Sequence, residues 1–401
     1  MPDQPADSQT LLDLYVKKTI HTTTAKRTLA FDIPITGFSS FQLDTGTLRL
    51  LRQLEAHNLT GPNILDLGCG YGTIAILLAA ANPAAKVLGL DRDALAVAFA
   101  QRNAAANALP SCQFRGGLDY QPLSPTDAFD AVVSNIPAKA GEPVHQAMLL
   151  NAARHLTPNG RVAIVVVSPL EPRIDAILAA EQIEILAKTP FKGHIVYIYR
   201  FRQPIPAIPW PYTRQSATFR CDKTAYRIET AYGLPEFDSL SWTTELLLKA
   251  LSRLKNLRQL RRVAFLDPGQ GHLPMILPQL VSRLDQTILI SRDALALQQS
   301  ARNLHRNQAA GQVLQFHTVA IKPPDLNDQP DLYTGPLNED EGLDLNTEKI
   351  AQLFPATTPR PQALFATRAS FAARLTPSLR ARNIKVSTPQ KHKGLAILQC
   401  T

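Results

Sequence analysis

Short apolar runs alternate with longer stretches of helical character in the first half of the chain. The apolar runs are rich in β-branched residues, and they read NILDLG (63–68), KVLGLD (86–91), FDAVVSN (129–135) and RVAIVVV (161–167). Runs of this length and composition are typical of strands that are buried on both faces of a sheet. The pattern therefore predicts a sheet covered by helices.

The stretches between these runs have the signals of helices. TIAILLAAA (73–81) follows the first strand, and Asp93 is a good N-cap for ALAVAFAQRNAAAN (94–107). HQAMLLNAARHL (145–156) is expected to end at TPNG, where Pro158 and Gly160 stop a helix. Strands alternating with helices favour a parallel doubly wound α/β sheet with right-handed crossovers. Ligands bind such sheets at the carboxyl ends of the strands.

The chain repeats itself after about half its length. LDRDALAVAFAQRNAAAN (90–107) aligns without a gap with ISRDALALQQSARNLHRN (290–307). DTGTLRLLRQL (44–54) matches SWTTELLLKAL (241–251), and KTPFKGHIVYIY (188–199) matches STPQKHKGLAIL (387–398). Because several blocks keep one order, we predict two tandem copies of one domain-sized fold.

A proline-rich segment separates the two copies. QPIPAIPWPYT, residues 203–213, contains four prolines, which remove amide donors and fix φ. We expect this segment to be a semi-rigid linker. The predicted division is therefore a first domain at 1–202, a linker at 203–213 and a second domain at 214–401.

A glycine-rich turn after the first strand indicates a ligand site. In LDLGCGYG, Asp66 is followed by Gly68, Gly70 and Gly72, which let a ligand approach the backbone. Asp91 ends the second strand, where a carboxylate can accept both hydroxyls of a ribose, and Asp119 follows the third strand, where it could meet an adenine amino group. Each acid taken singly could instead be a helix cap or a solvated loop residue. Together they favour a nucleoside-containing ligand.

These motifs resemble the class I S-adenosylmethionine-dependent methyltransferases. LDLGCGYG and LGLDRD look like their first two motifs, and FSSFQLDTGTLRLL (38–51) is similar to the F-S-x-x-x-L-D-x-G-[ST]-x-L-L segment of the small-domain family. That family includes tandem-domain ribosomal-RNA guanine-N2 methyltransferases with one catalytic copy. The resemblance implies S-adenosyl-L-methionine as cofactor and a cofactor site made of Thr47, Asp66, Gly68, Gly70, Gly72, Asp91, Arg92, Asp119 and Asn135.

The second copy of the glycine turn, AFLDPGQGHL, is degenerate. Asp267, Gly269 and Gly271 remain, but we align Leu273 with Gly72, and Ser291 replaces Asp91. The segment GPLNEDEG (335–342) replaces the one after the fourth strand. We therefore expect the intact copy to come first and the second copy to bind no cofactor.

The segment after the fourth strand is expected to hold the catalytic residues. SNIPAKAG (134–141) resembles the family motif N-P-P-F-H-x-G, with Asn135 and Pro137 matching and Ile136 still offering its carbonyl. The Asn oxygen and that carbonyl would accept the two hydrogens of a target amine. Ala138 replaces the family's aromatic residue, which removes a stacking partner for a base. Lys139 replaces the histidine and is a candidate substrate contact or a solvated loop lysine.

The charge of the chain is concentrated in its second half. The 401 residues carry a net charge of +9, of which residues 1–202 hold +1 and residues 203–401 hold +8. A polyanion such as ribosomal RNA is one explanation, with Arg302 and Arg306 on one helical face as candidate contacts. The other is a basic surface whose arginines face solvent or pair with acids such as Asp285 and Glu245.

Composition indicates the class of protein and its cellular compartment. The 45% hydrophobic and 19% charged residues are typical of a globular protein, no apolar run is long enough to cross a membrane, and the four cysteines lack metal spacing. We expect a cytoplasmic monomer with reduced thiols, whose two copies pack as an internal pseudo-dimer. Three functions stay open: a methyltransferase for an exocyclic amine of an RNA base, a methyltransferase for a protein or small molecule, and a non-catalytic RNA-binding protein.

Overall fold

A computed structural model describes residues 11–24, 27–36, 44–59, 61–221, 224–281, 283–309, 311–355 and 360–401. These residues form two compact units. We call Val16–Tyr212 the first unit, and residues 11–15 together with Thr213–Thr401 the second unit. Each unit is described by itself below.

The first unit is a hairpin followed by a seven-stranded sheet with helices. The hairpin pairs β1 (Val16–Thr23) with β2 (Thr28–Pro34). The sheet strands are β3 (Asn63–Leu67), β4 (Lys86–Asp91), β5 (Cys112–Gly116), β6 (Phe129–Asn135), β7 (Leu156–Val167), β8 (Glu184–Phe191) and β9 (His194–Arg200). The helices are α1 (Thr45–Ala56), α2 (Thr73–Ala81), α3 (Ala94–Ala106), α4 (Glu142–Leu150) and α5 (Glu171–Ala180), with 3₁₀ turns at Asn151–His155 and Ser168–Leu170.

The sheet order explains where a ligand site can lie. The order is β5-β4-β3-β6-β7-β9-β8, so β3 lies next to β4 on one side and β6 on the other. Since chain order reverses direction between β3 and β6, the carboxyl ends of these strands form the switch-point crevice of a doubly wound sheet. In β3 every residue after Asn63 is buried, as expected of a central strand.

The second unit repeats this plan. Its hairpin is β10 (Thr213–Cys221) and β11 (Thr224–Ala231), and its sheet order is β14-β13-β12-β15-β16-β18-β17. The sheet strands are β12 (Arg262–Leu266), β13 (Gln286–Ser291), β14 (Gln312–His317), β15 (Leu332–Pro336), β16 (Gln362–Arg368), β17 (Val386–His392) and β18 (Leu395–Cys400). The helices are α6 (Trp242–Ser252), α7 (His272–Leu280), α8 (Ala294–Arg306), α9 (Leu343–Ala351) and α10 (Ala369–Ala381), with 3₁₀ turns at Leu257–Gln259 and Glu339–Glu341.

A buried asparagine explains why the helix sequence repeats. Asn103 on α3 accepts the backbone N–H of Asp32 in the hairpin at 2.8 Å and donates to the carbonyls of Asp32 and Tyr71. Asn303 on α8 makes the same three contacts, with both backbone groups of Glu229 and with the Gln270 carbonyl. Each asparagine therefore ties the hairpin and the glycine turn to one helix. Loss of either would leave several buried backbone groups unpaired.

The predicted tandem α/β fold is confirmed, and three details differ. The sheet is mixed, because β9 runs antiparallel to both β7 and β8. The α-helix expected at 145–156 runs from Glu142 to Leu150, changes to a 3₁₀ turn at Asn151–His155, and TPNG lies within β7. The structure also groups residues 11–15 with the second unit and continues the first unit to Tyr212, which the division by sequence did not anticipate. No helix in the described ranges is long and apolar enough to span a membrane.

Candidate active site

The glycine turn between β3 and α2 leaves open space above the backbone. Gly68 and Gly70 have φ of +74° and +56°, and a Cβ added to either would meet no described atom within 4 Å. Gly72, with φ +92°, packs against α3, where its Cβ would lie 3.1 Å from that of Ala100. The turn therefore needs glycine for backbone conformation, and its first two glycines also leave room for a ligand.

Asp91 is locked against this turn at the end of β4. Its Oδ2 accepts the N–H of Gly70 at 2.8 Å, and its Oδ1 accepts the N–H of Asp93 at 2.9 Å. Burial raises the pKa of the Asp91 carboxyl, while these two backbone bonds and the Arg92 guanidinium lower it. Each oxygen keeps a further lone pair, so the carboxylate can still accept hydroxyl groups.

Asp66 lies inside β3 beneath the turn. Its side chain is fully buried, Oδ2 accepts the N–H of Ala75 at 3.0 Å, and Oδ1 has no hydrogen-bond partner among the described residues. Burial raises the pKa of the Asp66 carboxyl to about 7, with a smaller contribution from the charge of Asp91. The group is therefore partly protonated near neutral pH.

Asp119 follows β5 and is half-buried, with a left-handed backbone at φ +48°. The phenol of Tyr212 donates to its Oδ2 at 2.5 Å. Burial raises the pKa of the Asp119 carboxyl, and the bond from Tyr212 and the charge of Arg92 oppose that shift. Asp91, Arg92 and Asp119 thus lie close enough to interact electrostatically at the carboxyl ends of β4 and β5.

Asn135 ends β6, and its amide nitrogen is held on one side. Nδ2 donates to Oδ2 of Asp44 at 2.9 Å and to the hydroxyl of Thr47 at 3.2 Å. Asp44 is the N-cap of α1 and also accepts the N–H of Thr47 at 2.8 Å. Since a carboxylate only accepts, the NH₂ group must face Asp44, and the Asn135 oxygen points the other way. Residues 38–43 of the motif that supplies Asp44 and Thr47 lie outside the described residues.

The backbone groups of the two residues after Asn135 have separate hydrogen-bond partners. The N–H of Ile136 donates to the Val165 carbonyl at 3.0 Å, and the Pro137 carbonyl accepts from Nε2 of His145 at 2.9 Å. Burial lowers the pKa of His145, which favours the neutral imidazole with its proton on Nε2. Ile136 is buried, whereas Pro137, Ala138 and Lys139 are exposed. Lys139 therefore lies on the surface of the loop that begins at Asn135.

The second unit changes the residues of the turn while keeping its backbone. Gly271 has the same φ as Gly72, +92°, and its N–H bonds to the residue three positions earlier in the same way. Gly271 is therefore the counterpart of Gly72, and the alignment of Leu273 with Gly72 was wrong by two residues. In the corrected register Asp267, at φ +44°, replaces Gly68, and Phe265 replaces Asp66.

Side chains fill the corresponding crevice of the second unit. Asp267 lies where the first unit is open, and its Oδ1 accepts the hydroxyl of Ser291, the counterpart of Asp91, at 2.8 Å. Tyr15 is almost fully buried here and donates to Glu341 at 3.2 Å, and Lys349 bonds to the same carboxylate at 2.9 Å. The cavity that remains among these side chains measures about 40 Å³, which is room for a few water molecules.

The candidate RNA contacts of the second unit lie on α8. Arg306 forms an ion pair with Glu229 of the hairpin, and Arg302 is half-buried one turn earlier. In the first unit Arg102 pairs with Asp32, the counterpart of Glu229, at 2.7 Å. An arginine that ties helix to hairpin is thus common to both units. Arg306 therefore pairs with an acid, as the alternative to an RNA contact proposed, and that acid is Glu229.

Sequence reasoning missed three polar side chains of these sites. Asp44 lies in the LDTG motif, where the signal was present but was assigned only to Thr47. Tyr212 lies in the segment expected to be a linker, and Tyr15 lies far from the second copy along the chain. The sequence carries no local signal for the last two, because their partners, Asp119 and Glu341, are distant in sequence.

Comparison with known proteins finds a family model that matches part of the first unit. Residues 33–189 match the Methyltransferase small domain. The matched residues lie within the first unit, and they include every candidate catalytic and cofactor residue proposed from the sequence.

Two curated proteins show what the first unit is similar to in sequence. Ribosomal RNA small subunit methyltransferase C of Pseudomonas aeruginosa (strain UCBPP-PA14) is 37% identical over 135 residues, which are 32% of this chain and 38% of that protein. Release factor glutamine methyltransferase of Aliivibrio fischeri (strain ATCC 700601 / ES114) is 41% identical over 83 residues, 21% of this chain and 29% of that protein. This chain thus spans well under half the length of these curated relatives.

One solved structure is similar over nearly the whole chain. It is the T. thermophilus 16S rRNA N2 G1207 methyltransferase in complex with AdoMet and guanosine, with a TM-score of 0.67. The alignment covers 97% of this chain and 99% of that one at 17% identity. The likeness confirms the fold of two tandem methyltransferase-like domains.

Proposed function

We propose that the chain is an S-adenosylmethionine-dependent methyltransferase whose first unit is catalytic. The observation that carries the proposal is the fixed Asn135 amide. Asp44 and Thr47 hold its nitrogen at the carboxyl end of β6, and the open glycine turn ends the adjacent strand β3. The proposed substrate-orienting group and the open turn thus lie at the carboxyl ends of adjacent strands, at the same crevice.

The residues of the first unit fit the cofactor. Gly68 and Gly70 face open space, and Asp91 and Asp119 offer acceptors for a ribose and an adenine amino group. Asp66 keeps a buried oxygen without a partner among the described residues. We assign Thr47, Asp66, Gly68, Gly70, Gly72, Asp91, Arg92, Asp119 and Asn135 to this site. The cofactor supplies an electrophilic sulfonium methyl group.

The chain's own contribution to the reaction is positioning. The Asn135 oxygen accepts one hydrogen of a planar NH₂ group, and the Ile136 carbonyl accepts the other. The Pro137 carbonyl already accepts from Nε2 of His145 and from the N–H of Ala140, so both of its lone pairs are used and the Ile136 carbonyl is left as the accepting group. When both hydrogens of a planar nitrogen are held, its lone pair is kept in line with the methyl group. Orientation of the nitrogen therefore accounts for most of the rate enhancement.

The proposed substrate is an exocyclic amine of a base in RNA, with ribosomal RNA as the first candidate. Support comes from the names of the relatives and of the similar structure, and from the +8 charge of residues 203–401. Lys139, exposed on the Asn135 loop, is the proposed phosphate contact of the first unit. The second unit is proposed to bind RNA without cofactor, and Arg302 and Arg306 stay candidates although Arg306 already pairs with Glu229.

A protein substrate is the alternative. The glutamine named in one relative ends in a carboxamide, whose NH₂ group is planar like the exocyclic amine of a base. Ala138 in place of an aromatic residue favours this alternative, because a flipped base would lose a stacking partner worth about 1–3 kcal/mol. The Asn135 geometry is suited to either nitrogen.

Several further assignments rest on the same proposal. We assign catalysis to 1–202, the connection to 203–213 and substrate binding to 214–401, in a cytoplasmic monomer. The cysteines Cys69, Cys112, Cys221 and Cys400 are free thiols, in keeping with a reducing compartment. The packing of the two copies as an internal pseudo-dimer stays a prediction. For the monomer, we expect the full chain to sediment at the mass of one chain.

Transfer of a labelled methyl group tests the proposal. The full chain is incubated with tritiated S-adenosylmethionine and separate RNA, protein and small-molecule fractions of a cell extract. We expect label in RNA, with ribosomal RNA the main product. Label in protein alone would select the alternative substrate. Neither transfer nor cofactor binding by calorimetry would leave a non-catalytic RNA-binding protein.

A further inference from the structure

The proline-rich segment before the second unit is fixed to the first unit. The Asn151 side chain exchanges two hydrogen bonds with Ile208, donating to its carbonyl at 3.0 Å and accepting its N–H at 2.9 Å. Trp210 lies against Tyr212, with ring centroids 5.3 Å apart. Tyr212 is only 3% exposed. The segment therefore has defined contacts at both its middle and its end, unlike a mobile linker.

The end of this segment reaches the adenine side of the proposed cofactor site. The Tyr212 phenol donates its proton to Oδ2 of Asp119 at 2.5 Å, the distance of a strong charge-assisted bond. Because the bond holds one oxygen of the carboxylate, it restricts rotation of the Asp119 side chain. A carboxylate has about four acceptor positions, and one donor leaves the others open for an amino group.

We infer that Tyr212 is a positioning residue for the cofactor, because it holds the Asp119 carboxylate ready to accept the exocyclic amino group of adenine. This inference rests on the proposed function of the first unit. Without the phenol, the half-buried Asp119 loses the one side-chain donor that the structure gives it, and its carboxylate can turn or take a proton. Adenine recognition then weakens, while contacts to the ribose at Asp91 are retained.

The position of Tyr212 along the chain gives this contact a second consequence. Tyr212 is the last residue of the first unit, and Thr213 begins β10 of the second unit. A ligand that stabilises the Asp119–Tyr212 bond therefore also fixes the residue where the chain enters the second unit. Trp210, two residues earlier, is placed to report it.

Recognition of the adenine amino group is the direct test. Calorimetry on the full chain compares S-adenosylhomocysteine with S-inosylhomocysteine, in which an oxygen replaces that amino group. We expect the wild type to prefer the adenosyl compound by about tenfold or more, and Tyr212→Phe to reduce this preference several-fold, as loss of a charge-assisted hydrogen bond predicts. A purely structural role would weaken both ligands equally and leave their ratio unchanged.

A matched control comes from the same unit. Tyr197 donates to Asp175 at 2.9 Å, outside the proposed site, so Tyr197→Phe also removes a Tyr–Asp bond. That variant should keep the wild-type ratio. An unchanged ratio in Tyr212→Phe, or tighter binding of the adenosyl compound because the phenol competes with adenine, would overturn the inference. If the wild type binds neither compound, the proposed function itself fails.

Tryptophan emission gives a readout that does not depend on affinity. The chain has two tryptophans, so Trp242→Phe leaves Trp210 as the single reporter. S-adenosylhomocysteine at saturation should shift or quench its emission, and S-inosylhomocysteine at saturation should do so less. Equal changes with both ligands, or none with either while calorimetry shows binding, would contradict a link between the adenine contact and Tyr212.

Discussion

The two units have the same backbone plan, but the crevice at the glycine turn is open in the first unit and filled by side chains in the second. Both close a hairpin onto a helix with a buried asparagine, Asn103 or Asn303, and both turn through a glycine at φ +92°. In the first unit the crevice above the turn is open at Gly68. In the second, Asp267 stands at that position, and Tyr15, Glu341 and Lys349 fill the space around it.

The difference shows that fold and site are specified by separate residues. The asparagine contact and the cap of the helix after β4 or β13, Asp93 or Asp293, satisfy backbone groups that the fold must pair. A few changes at the strand ends, such as Gly68 to Asp267 and Asp91 to Ser291, are enough to replace a ligand crevice by a packed interior. The second unit can therefore keep its stability without a cofactor.

The largest expected effect is at Asn135, which is proposed to orient the substrate. Asn135→Ala should lower methyl transfer by more than about 100-fold, because loss of a fixed acceptor affects geometry at the reacting nitrogen. Cofactor affinity should change by less than about threefold, since the side chain is proposed to act mainly on the substrate. Transfer rates and calorimetry on the same preparation measure both quantities.

The matched control lies at the same sheet position in the second unit. Strand pairing makes Pro336 of β15 the counterpart of Asn135 of β6. Pro336→Ala should keep transfer near the wild-type rate. Full activity of Asn135→Ala would remove the main support for amine methylation.

Asp91, the proposed ribose acceptor, gives the next largest expected difference between the two units. Asp91→Asn should weaken S-adenosylmethionine binding by about 1.5–3 kcal/mol, the scale of charge-assisted hydrogen bonds lost from a buried acceptor. Ser291→Ala, at the counterpart position, should leave the affinity unchanged. Equal losses from both variants would mean two working sites, and the contrast between the units would be wrong.

Asp66 predicts a pH dependence at a position where the second unit has Phe265, which does not titrate. Burial raises the Asp66 pKa from 3.8 to about 7, so the folded first unit holds a proton that the unfolded chain releases. The contribution of Asp66 to the free energy of unfolding is fully present below pH 4 and is lost as the pH rises to 7. The loss is about 2 kcal/mol between pH 5 and pH 7. Denaturant titration of the cofactor-free chain at these two pH values measures it.

Asp66→Asn supplies the comparison for this effect. Its amide oxygen can still accept the Ala75 N–H, and it does not titrate. The unfolding free energy of the variant relative to wild type should therefore rise by about the same 2 kcal/mol from pH 5 to pH 7. A constant difference between the two proteins would show that Asp66 keeps an ordinary pKa.

The smallest expected effect tests the filled crevice of the second unit. Tyr15→Phe keeps the buried ring and removes a hydroxyl that bonds to Glu341, so stability should fall by about 1 kcal/mol. Cofactor affinity should not change, because the first unit supplies the site. Denaturant unfolding and calorimetry give the two values, and weaker cofactor binding in Tyr15→Phe would contradict the separation of the units.

The sequence predicted the features that depend on local pattern. Buried strand runs, the Asp93 cap and the repeat at 290–307 have periodic or local causes, so the tandem α/β fold could be derived and is confirmed. The register of the second glycine turn could not be derived from the sequence. Residue identities alone favoured aligning Leu273 with Gly72, whereas backbone φ and hydrogen bonds show that Gly271 is the counterpart of Gly72.

The contacts that sequence reasoning missed connect distant parts of the chain. Asp44 reaches Asn135 across 91 positions, and Tyr212 reaches Asp119 across 93. Such pairs leave no periodic signal, and they decide which atoms of Asn135 and Asp119 face the crevice. The residue types of the candidate site were therefore accessible from the sequence, but their orientation was not.

Cofactor stoichiometry tests the central claim most directly. Isothermal titration of the full chain with S-adenosylmethionine should give one site per chain in the wild type and in Ser291→Ala, and strongly reduced binding in Asp91→Asn. Two sites per chain, or one site that survives Asp91→Asn and is lost with Ser291→Ala, would contradict the account of an open first unit and a filled second unit.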